Sequence, residues 1–218
     1  MITAVPSLSS TSSGGPAFRF LTGLARSESW LNPAVEVWTN AALGMFAVLA
    51  ALAWWRSRRH GPHAVAMAAG VPVAVGAAFL LAELIKNAVA EPRPCHALAH
   101  AYIVEACPSP DDYAFPSGHV TVAAATAAAL TLVHRPLAAI ATSLAALEAF
   151  TRVYLGAHYP HDVLGAAMIA APIAVVVCWS FGRMAAPVAA RASSGALRTL
   201  TCAPPARRES RPPISPSE

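Results

Sequence analysis

A reactive tetrapeptide stands directly before a long run of alanine and valine residues. In the segment YAFPSGHVTV, Pro116 and Ser117 are followed by Gly118 and His119. A serine suits the N-cap of a helix, a glycine lets the backbone approach a ligand, and the first amides of a helix point toward an anion. A protonated imidazole on the first turn can give a proton to a leaving oxygen. The tetrapeptide therefore predicts a phosphate-binding turn with its own general acid.

A second candidate group lies in the segment RVYLGAHYPHD, residues 152–162. Pro160 suits the first turn of a new helix, which leaves His158 just before that helix and Asp162 within it. A carboxylate this close can orient the imidazole and stabilise its charged form, so the second ring nitrogen is free to attack phosphorus. His161 adjoins Asp162 and is a competing candidate for the nucleophile.

Three cations accompany these groups. Lys86 and Arg93 lie about two helical turns apart in KNAVAEPRP, where an apolar block ends. Arg152 adds a planar guanidinium that suits bidentate contact with phosphate oxygens. Three fixed positive charges predict a multiply charged anion as the ligand. Glu83 and Glu148 precede Lys86 and Arg152 by one helical turn, and we interpret them as supporting partners of these cations.

The composition predicts a membrane protein. Of 218 residues, 56% are hydrophobic and 12% are charged, and the mean hydropathy is +0.51. Apolar blocks near the length of a membrane-spanning helix recur along the chain. They are Val35 to Trp55, Ala64 to Ile85, Ser117 to Val133, Pro136 to Leu155 and Val163 to Phe181. We therefore expect an all-α, polytopic membrane helix bundle with about five transmembrane helices and an N-terminal interfacial or partial helix.

Composition also divides the chain. Residues 1–16 are uncharged and rich in Ser, Gly and Pro, which predicts a disordered tail without a cleavable signal peptide. Residues 17–32 mix apolar and basic residues, as in an amphipathic stretch at the interface. The membrane domain is predicted over 33–183, and a disordered, basic cytoplasmic tail over 184–218.

Basic residues indicate the orientation. The loop RSRRHGPH, residues 56–63, favours the cytoplasmic side, which places the 87–116 and 156–162 loops outside. All the candidate site residues then lie at the outer surface of the plasma membrane. The sequence pI of about 9.2 is explained by cytoplasmic anchoring, so we expect no nucleic-acid partner. Cys95 and Cys107 both fall in the outer 87–116 loop, where a disulfide between them can form.

In this order and membrane context, the motifs resemble a known family. K-x6-R-P (Lys86 to Pro94), P-S-G-H (Pro116 to His119) and R-x5-H-x3-D (Arg152 to Asp162) are similar to the three signature motifs of the type 2 phosphatidic acid phosphatase (PAP2) superfamily. With the connecting spans, the resemblance covers residues 64–182. The five apolar blocks make the chain resemble the integral-membrane lipid phosphatases of that family.

The resemblance implies a role for each matching residue. Phosphate binding falls to Lys86, Arg93, Ser117, Gly118 and Arg152. His158 would be the nucleophile that forms a phosphohistidine, Asp162 its orienting partner, and His119 the acid that then activates water. The spacing of His161 from Arg152 does not fit the motif. No metal or other cofactor is expected, because the cations and amides already stabilise the phosphoryl transition state.

One departure from the family pattern is visible in the third motif. It usually begins Ser-Arg, whereas this chain has Thr151 before Arg152. The hydroxyl is kept, so we expect little consequence and assign Thr151, like Glu148, a supporting position behind the phosphate-binding residues.

The leading substrate expectation is a polyprenyl diphosphate, undecaprenyl or decaprenyl, because its headgroup is met at the outer face after cell-wall precursors are delivered. Phosphatidic acid, phosphatidylglycerophosphate and a polyprenyl-linked sugar phosphate stay open as alternatives. A transporter or proton relay is the competing class, and it predicts ionisable groups spread through the depth of the bundle. A non-catalytic lipid-binding protein is a third reading.

Overall fold

A computed structural model describes residues 14–193, which contain helices and no strand. A 3-10 turn, Ser29–Leu31, separates the first two helices. The α-helices in chain order are α1 (Gly15–Ser27), α2 (Asn32–Ser57), α3 (Pro62–Val89), α4 (Pro94–Ala97), α5 (Gly118–Thr131), α6 (Arg135–Tyr154) and α7 (Pro160–Ser193). The predicted all-α bundle is confirmed.

Four stretches of the described chain are long and apolar enough to cross a membrane. They are Ser29–Ser57, Pro62–Ala97, Arg135–Tyr154 and Pro160–Ser193. The remaining predicted span, the third in chain order, corresponds to α5. This helix has 14 residues and is therefore about 21 Å long. The helix starts just after Pro116, because a proline disfavours helical backbone at the residue before it. It ends at the short turn that precedes Pro136.

The direction of the chain alternates from one helix to the next. The end of α3, the start of α5, the end of α6 and the start of α7 therefore meet, together with the start of α2. We call this the site end of the bundle, and the opposite end, with the loop of residues 58–61 and the turn of residues 132–134, the far end. The 90–117 segment closes over the site end, and a disulfide joins its residues Cys95 and Cys107.

Small residues fill the centre of the bundle. The core contains Ala42, Ala53, Ala74, Ala78, Ala123, Ala125, Ala129, Ala141, Ala170 and Ala174, all at most 1% exposed. Gly70 on α3 lies against α7, where an added Cβ would be 2.9 Å from the carbonyl oxygen of Cys178. Side chains this small let α3 and α7 pack along most of their length.

The N-terminal helix α1 packs against the protein. Its Phe18 and Ala25 are fully buried, and the Phe18 ring lies 5.6 Å from that of Tyr159. Phe20 on the opposite face is 72% exposed, so the stretch predicted to be amphipathic is a helix with one covered face. The predicted tails, 1–16 and 184–218, fall mostly outside the described residues, although α7 continues to Ser193.

Candidate active site

The site end brings the three predicted motifs together. Lys86 comes from the last turn of α3, and Arg93 from the segment that follows it. Arg152 is in the last turn of α6, while His158 lies in the connection to α7. Helix termini supply these positions because the chain turns there, so residues far apart in sequence meet at one level of the bundle.

The start of α5 offers unpaired hydrogen-bonding groups. Ser117 has the extended backbone of an N-cap, but its side chain does not cap the helix. Its hydroxyl is fully buried and has no hydrogen-bond partner among residues 14–193. The first amides of a helix also lack intrahelical acceptors. This turn can therefore donate several hydrogen bonds to an anion.

Arg93 lies closest to the candidate nucleophile. Its Nη1 is 3.3 Å from Nε2 of His158 and donates to the carbonyl oxygen of Ala157 at 3.3 Å. Its Nε donates to the carbonyl oxygen of Asp112 at 2.9 Å. The guanidinium is 7% exposed, fixed from several sides, and holds its positive charge beside the imidazole.

His158 and Asp162 form the predicted pair. Nδ1 of His158 lies 3.4 Å from Oδ2 of Asp162, and both residues are at most 1% exposed. The same carboxylate oxygen accepts the backbone N–H of Tyr159 at 2.8 Å, and the Asp162 carbonyl accepts that of Ser117 at 3.3 Å. The carboxylate thus faces one ring nitrogen while the other faces Arg93. Nδ1 makes no hydrogen bond among residues 14–193, but the Arg93 guanidinium, which can only donate, faces Nε2. We therefore infer a tautomer with a lone pair on Nε2 and the proton on Nδ1.

The surroundings keep His158 neutral. Burial, followed by the positive charges of Arg152, Arg93 and Lys86, holds the pKa of His158 well below its ordinary 6.5. A neutral imidazole retains the lone pair that a nucleophile needs at neutral pH. His119, half-buried on the first turn of α5, lies within electrostatic range of the same three cations.

Arg152 is held by a buried network that includes α2. Its Nη1 donates to the hydroxyl of Thr39 at 3.2 Å, and that hydroxyl donates to Oε1 of Glu148 at 2.5 Å. Thr151 donates to the Glu148 carbonyl at 2.9 Å. Glu148 is fully buried and reaches Arg152 through Thr39 rather than directly. Glu83, by contrast, pairs directly with Lys86 at 3.0 Å.

Three residues near the cations were not anticipated from the sequence. Glu105 pairs with Arg152, Asp112 contacts Lys86 and Arg93, and Thr39 bridges α2 to α6. Thr39 could have been noticed as a polar residue inside an apolar block, and Glu105 as the one acid in the apolar run AYIVEA. Neither belongs to a motif whose spacing would have indicated the contact.

His161 lies at the solvent-exposed edge of the site end, away from the three cations. Its side chain is 57% exposed, with Nε2 2.9 Å from Glu91 and 3.2 Å from Oδ1 of Asp162. These three residues are close enough to share a metal ion, as are Cys95, His96 and Cys107. Cys95 and Cys107 are joined in the disulfide, which leaves His96 alone as a ligand.

A family model decides the relationship that the motifs suggested. The model of the PAP2 superfamily matches residues 67–185, more than half of the chain. The chain belongs to the PAP2 superfamily. All three motifs lie inside the matched range, whereas Thr39 and the N-terminal helix lie outside it. The predicted family and its phosphatase class are confirmed.

Curated relatives point in the same direction. The chain is 29% identical over 157 residues to the undecaprenyl-diphosphatase BcrC of Bacillus subtilis, with 70% of this chain and 76% of the relative covered. It is 35% identical over 88 residues to an undecaprenyl-diphosphatase of Sulfolobus acidocaldarius. That second match spans 40% of this chain and only 42% of the archaeal protein.

A solved structure shares the fold. It is described as the first transmembrane PAP2 type phosphatidylglycerolphosphate phosphatase from Bacillus subtilis. The TM-score is 0.56 at 22% identity, with 77% of this chain and 85% of the other covered. The likeness shows that the two chains share a helix-bundle fold.

Proposed function

We propose that this chain is a lipid phosphatase that cleaves a polyprenyl diphosphate through a phosphohistidine at His158. The observation that carries the proposal is the position of Nε2 of His158. It lies 3.3 Å from Arg93, in the electrostatic range of Lys86 and Arg152, with Asp162 behind the opposite ring nitrogen. This arrangement binds a phosphoryl group and aims a nucleophile at it.

In the first step, the lone pair of His158 Nε2 attacks the terminal phosphorus. The bond from that phosphorus to the bridging oxygen breaks, and the leaving lipid monophosphate takes a proton from His119. Lys86, Arg93 and Arg152 balance the charge on the transferring group, and the Ser117 hydroxyl and first amides of α5 donate hydrogen bonds to it. Asp162 stabilises the positive charge that the imidazole acquires.

In the second step, water replaces His158. Neutral His119 takes a proton from the water as its oxygen attacks phosphorus, and the bond between phosphorus and nitrogen breaks. The electron pair returns to His158, and orthophosphate leaves. The sum is hydrolysis of a lipid diphosphate to lipid monophosphate and orthophosphate, with both histidines restored.

The substrate assignment rests on the relatives and on the depth of the site. Two curated relatives are named undecaprenyl-diphosphatases. The site lies at one end of an apolar bundle whose α3 exposes large side chains, Phe79, Leu80 and Leu84, just before Lys86. A lipid can therefore lie along α3 while its diphosphate reaches the cations.

We place the site on the outer side of the cytoplasmic membrane. The disulfide between Cys95 and Cys107 lies at the site end and requires an oxidising compartment. Basic residues in or beside the far-end turns and in the last turns of α7 favour the cytoplasm. These are Arg56, Arg58, Arg59, Arg135, Arg183 and Arg191. The basic residues at the site end are Arg19 and Arg26 on α1 and the three cations of the site itself, Lys86, Arg93 and Arg152.

The decisive experiment is a substrate panel with detergent-solubilised protein in the presence of a chelator. Polyprenyl diphosphate, polyprenyl monophosphate, phosphatidic acid and phosphatidylglycerophosphate are compared by phosphate release. We expect the diphosphate to be preferred and EDTA to have no effect. His158→Ala should lose roughly 10³-fold or more of kcat, whereas the matched control His63→Ala, at an exposed position of the far end, should match wild type.

Two results would contradict the proposal. Phosphate release that persists unchanged in His158→Ala would remove the nucleophile. Absence of hydrolysis of every lipid phosphate by folded wild type would favour the transporter or proton-relay class. That class predicts ionisable groups spread through the depth of the bundle. Within residues 14–193, however, the buried ionisable groups, apart from thiols, gather at the site end.

A further inference from the structure

Two carboxylates of the 90–117 segment lie on the phosphate-binding cations. Oε1 of Glu105 accepts a hydrogen bond from Nη2 of Arg152 at 2.8 Å, and Oε2 lies in ion-pair contact with Nη1 at 2.7 Å without hydrogen-bond geometry. Asp112 lies 3.1 Å from Nη2 of Arg93 and 3.5 Å from Nζ of Lys86. Every one of the three predicted phosphate-binding cations therefore has an acidic partner from this one segment.

These carboxylates use the donors that a phosphate would need. A carboxylate and a phosphate both accept the two parallel hydrogen bonds of a guanidinium. With Glu105 and Thr39 on Arg152, its Nε is left without a hydrogen-bond partner among the described residues. A phosphoryl group that binds Arg152 through both Nη atoms must displace Glu105, and one that takes Nη2 of Arg93 must displace Asp112.

The backbone that carries both acids is fixed, while the carboxylates can move. Val104 and Glu105 donate their N–H groups to the Leu155 carbonyl at 3.0 and 3.3 Å, and the Asp112 carbonyl accepts from Arg93 Nε. The side chains of Glu105 and Asp112 are 30% and 40% exposed, so rotation toward water is open to them. Displacement then requires new side-chain rotamers and no refolding of the segment.

We propose that Glu105 and Asp112 are specificity-determining residues, internal counter-anions that the substrate must displace and that favour a diphosphate over a monophosphate. This inference rests on the proposed function. A diphosphate brings more negative charge and more acceptor oxygens than a monophosphate, so it competes better for three cations. The reaction products are a lipid monophosphate and orthophosphate. Glu105 and Asp112 compete with these products for the cations, which favours product release.

The test compares three charge-neutralising variants. Glu105→Gln and Asp112→Asn keep the shape and one acceptor oxygen of each side chain while they remove the competing charge. Asp111→Asn removes the same charge from the neighbouring position, where the exposed carboxyl interacts with Ser109. Binding of inorganic phosphate to each detergent-solubilised protein is measured by calorimetry, which requires no turnover. The ratio of kcat/KM for polyprenyl diphosphate to that for polyprenyl monophosphate is measured separately.

We expect inorganic phosphate to bind roughly five- to tenfold more tightly to Glu105→Gln, and severalfold more tightly to Asp112→Asn, than to wild type. The diphosphate preference should fall in both variants, while Asp111→Asn should match wild type in both measurements. Equal or weaker phosphate binding in Glu105→Gln and Asp112→Asn would overturn the proposal, because the carboxylates would then support the cations rather than compete with phosphate. The two variants could also bind phosphate more tightly while the folded protein hydrolyses no lipid phosphate. That result would contradict the proposed function but support the competition between these carboxylates and phosphate.

Discussion

The two ends of this bundle are built from opposite kinds of side chain. Polar or charged residues that are 9% exposed or less gather at the site end, and they include Asn32, Thr39, Lys86, Arg93, Ser117, Glu148, Thr151, Arg152, His158 and Asp162. The middle and far parts of the same helices pack through alanine, and through Gly70 and Gly182 where α3 meets α7. Buried charge is costly without partners, and here the cations find partners in the 90–117 segment, on α2 and, for Lys86, on the same helix.

The alanine-rich middle and far parts of the bundle support the polar site end. Small side chains let α3, α5 and α7 approach closely, so their ends converge within reach of one phosphoryl group. Most of the polar residues then pair within the protein rather than facing lipid, while the Ser117 hydroxyl and Nε of Arg152 have no hydrogen-bond partner among residues 14–193. Changes at the site end should therefore affect catalysis, and changes in the alanine-rich part should affect stability.

The largest expected effect follows from Asp162→Asn. The amide keeps an acceptor for the Tyr159 N–H but loses the charge that orients His158 and stabilises its phosphorylated form. We expect kcat to fall roughly 10⁴-fold, as for an oriented catalytic histidine that loses its carboxylate, with little change in the thermal midpoint. A kcat within tenfold of wild type would show that the carboxylate has no such role.

Arg152→Lys should have the next largest effect. An ammonium keeps the charge but cannot contact Thr39, Glu105 and a phosphate through a planar fork. We expect kcat/KM to fall about 100-fold, equivalent to two truncated charge-assisted hydrogen bonds. Steady-state kinetics on the preferred lipid measure it, and full activity in the lysine variant would mean that charge alone suffices.

Thr39→Val should have a moderate effect. Valine keeps the volume of Thr39 but removes the hydroxyl that links Glu148 to Arg152. We expect kcat/KM to fall roughly tenfold, the cost of one buried hydrogen-bond bridge, and Thr39→Ser to restore it. The matched control is Thr126→Val, since Thr126 is equally buried but bonds only to the Val122 carbonyl of its own helix. Equal losses in the two valine variants would mean a general packing effect.

The smallest effect on activity is expected far from the site. Gly70→Ala places a Cβ 2.9 Å from the backbone carbonyl oxygen of Cys178, so α3 and α7 must separate slightly. We expect the variant to lose about 1 to 3 kcal/mol of stability through overpacking, seen as a lower thermal midpoint in detergent. The kcat of the folded fraction should stay within twofold of wild type, and a large fall in kcat would show that the two regions are tightly coupled.

The sequence predicted the residues that recur in motifs and at helix boundaries. Lys86, His158 and Asp162 could be assigned to one end because apolar blocks alternate in direction across a membrane. The all-helical class and the short third span followed from the same blocks, and the computed structure has them.

The remaining contacts depended on information that one sequence does not carry. Thr39 meets Arg152 only because α2 packs against α6 in one particular rotation. Glu105 and Asp112 reach the cations because the 90–117 segment folds back, held by backbone hydrogen bonds to the Leu155 carbonyl and by the bond from the Arg93 side chain to the Asp112 carbonyl. The burial of Phe18 likewise depends on what lies against α1 rather than on its amphipathic pattern.

We propose that the three separated motifs form one site with His158 as its nucleophile. The direct measurement is rapid acid-free quenching of a reaction with lipid diphosphate labelled in its terminal phosphate, followed by mass spectrometry of the labelled peptide. We expect a base-stable, acid-labile label on His158, formed and lost at rates compatible with turnover and absent from His158→Ala. Label on His161 instead, or turnover with no labelled histidine in wild type, would contradict it.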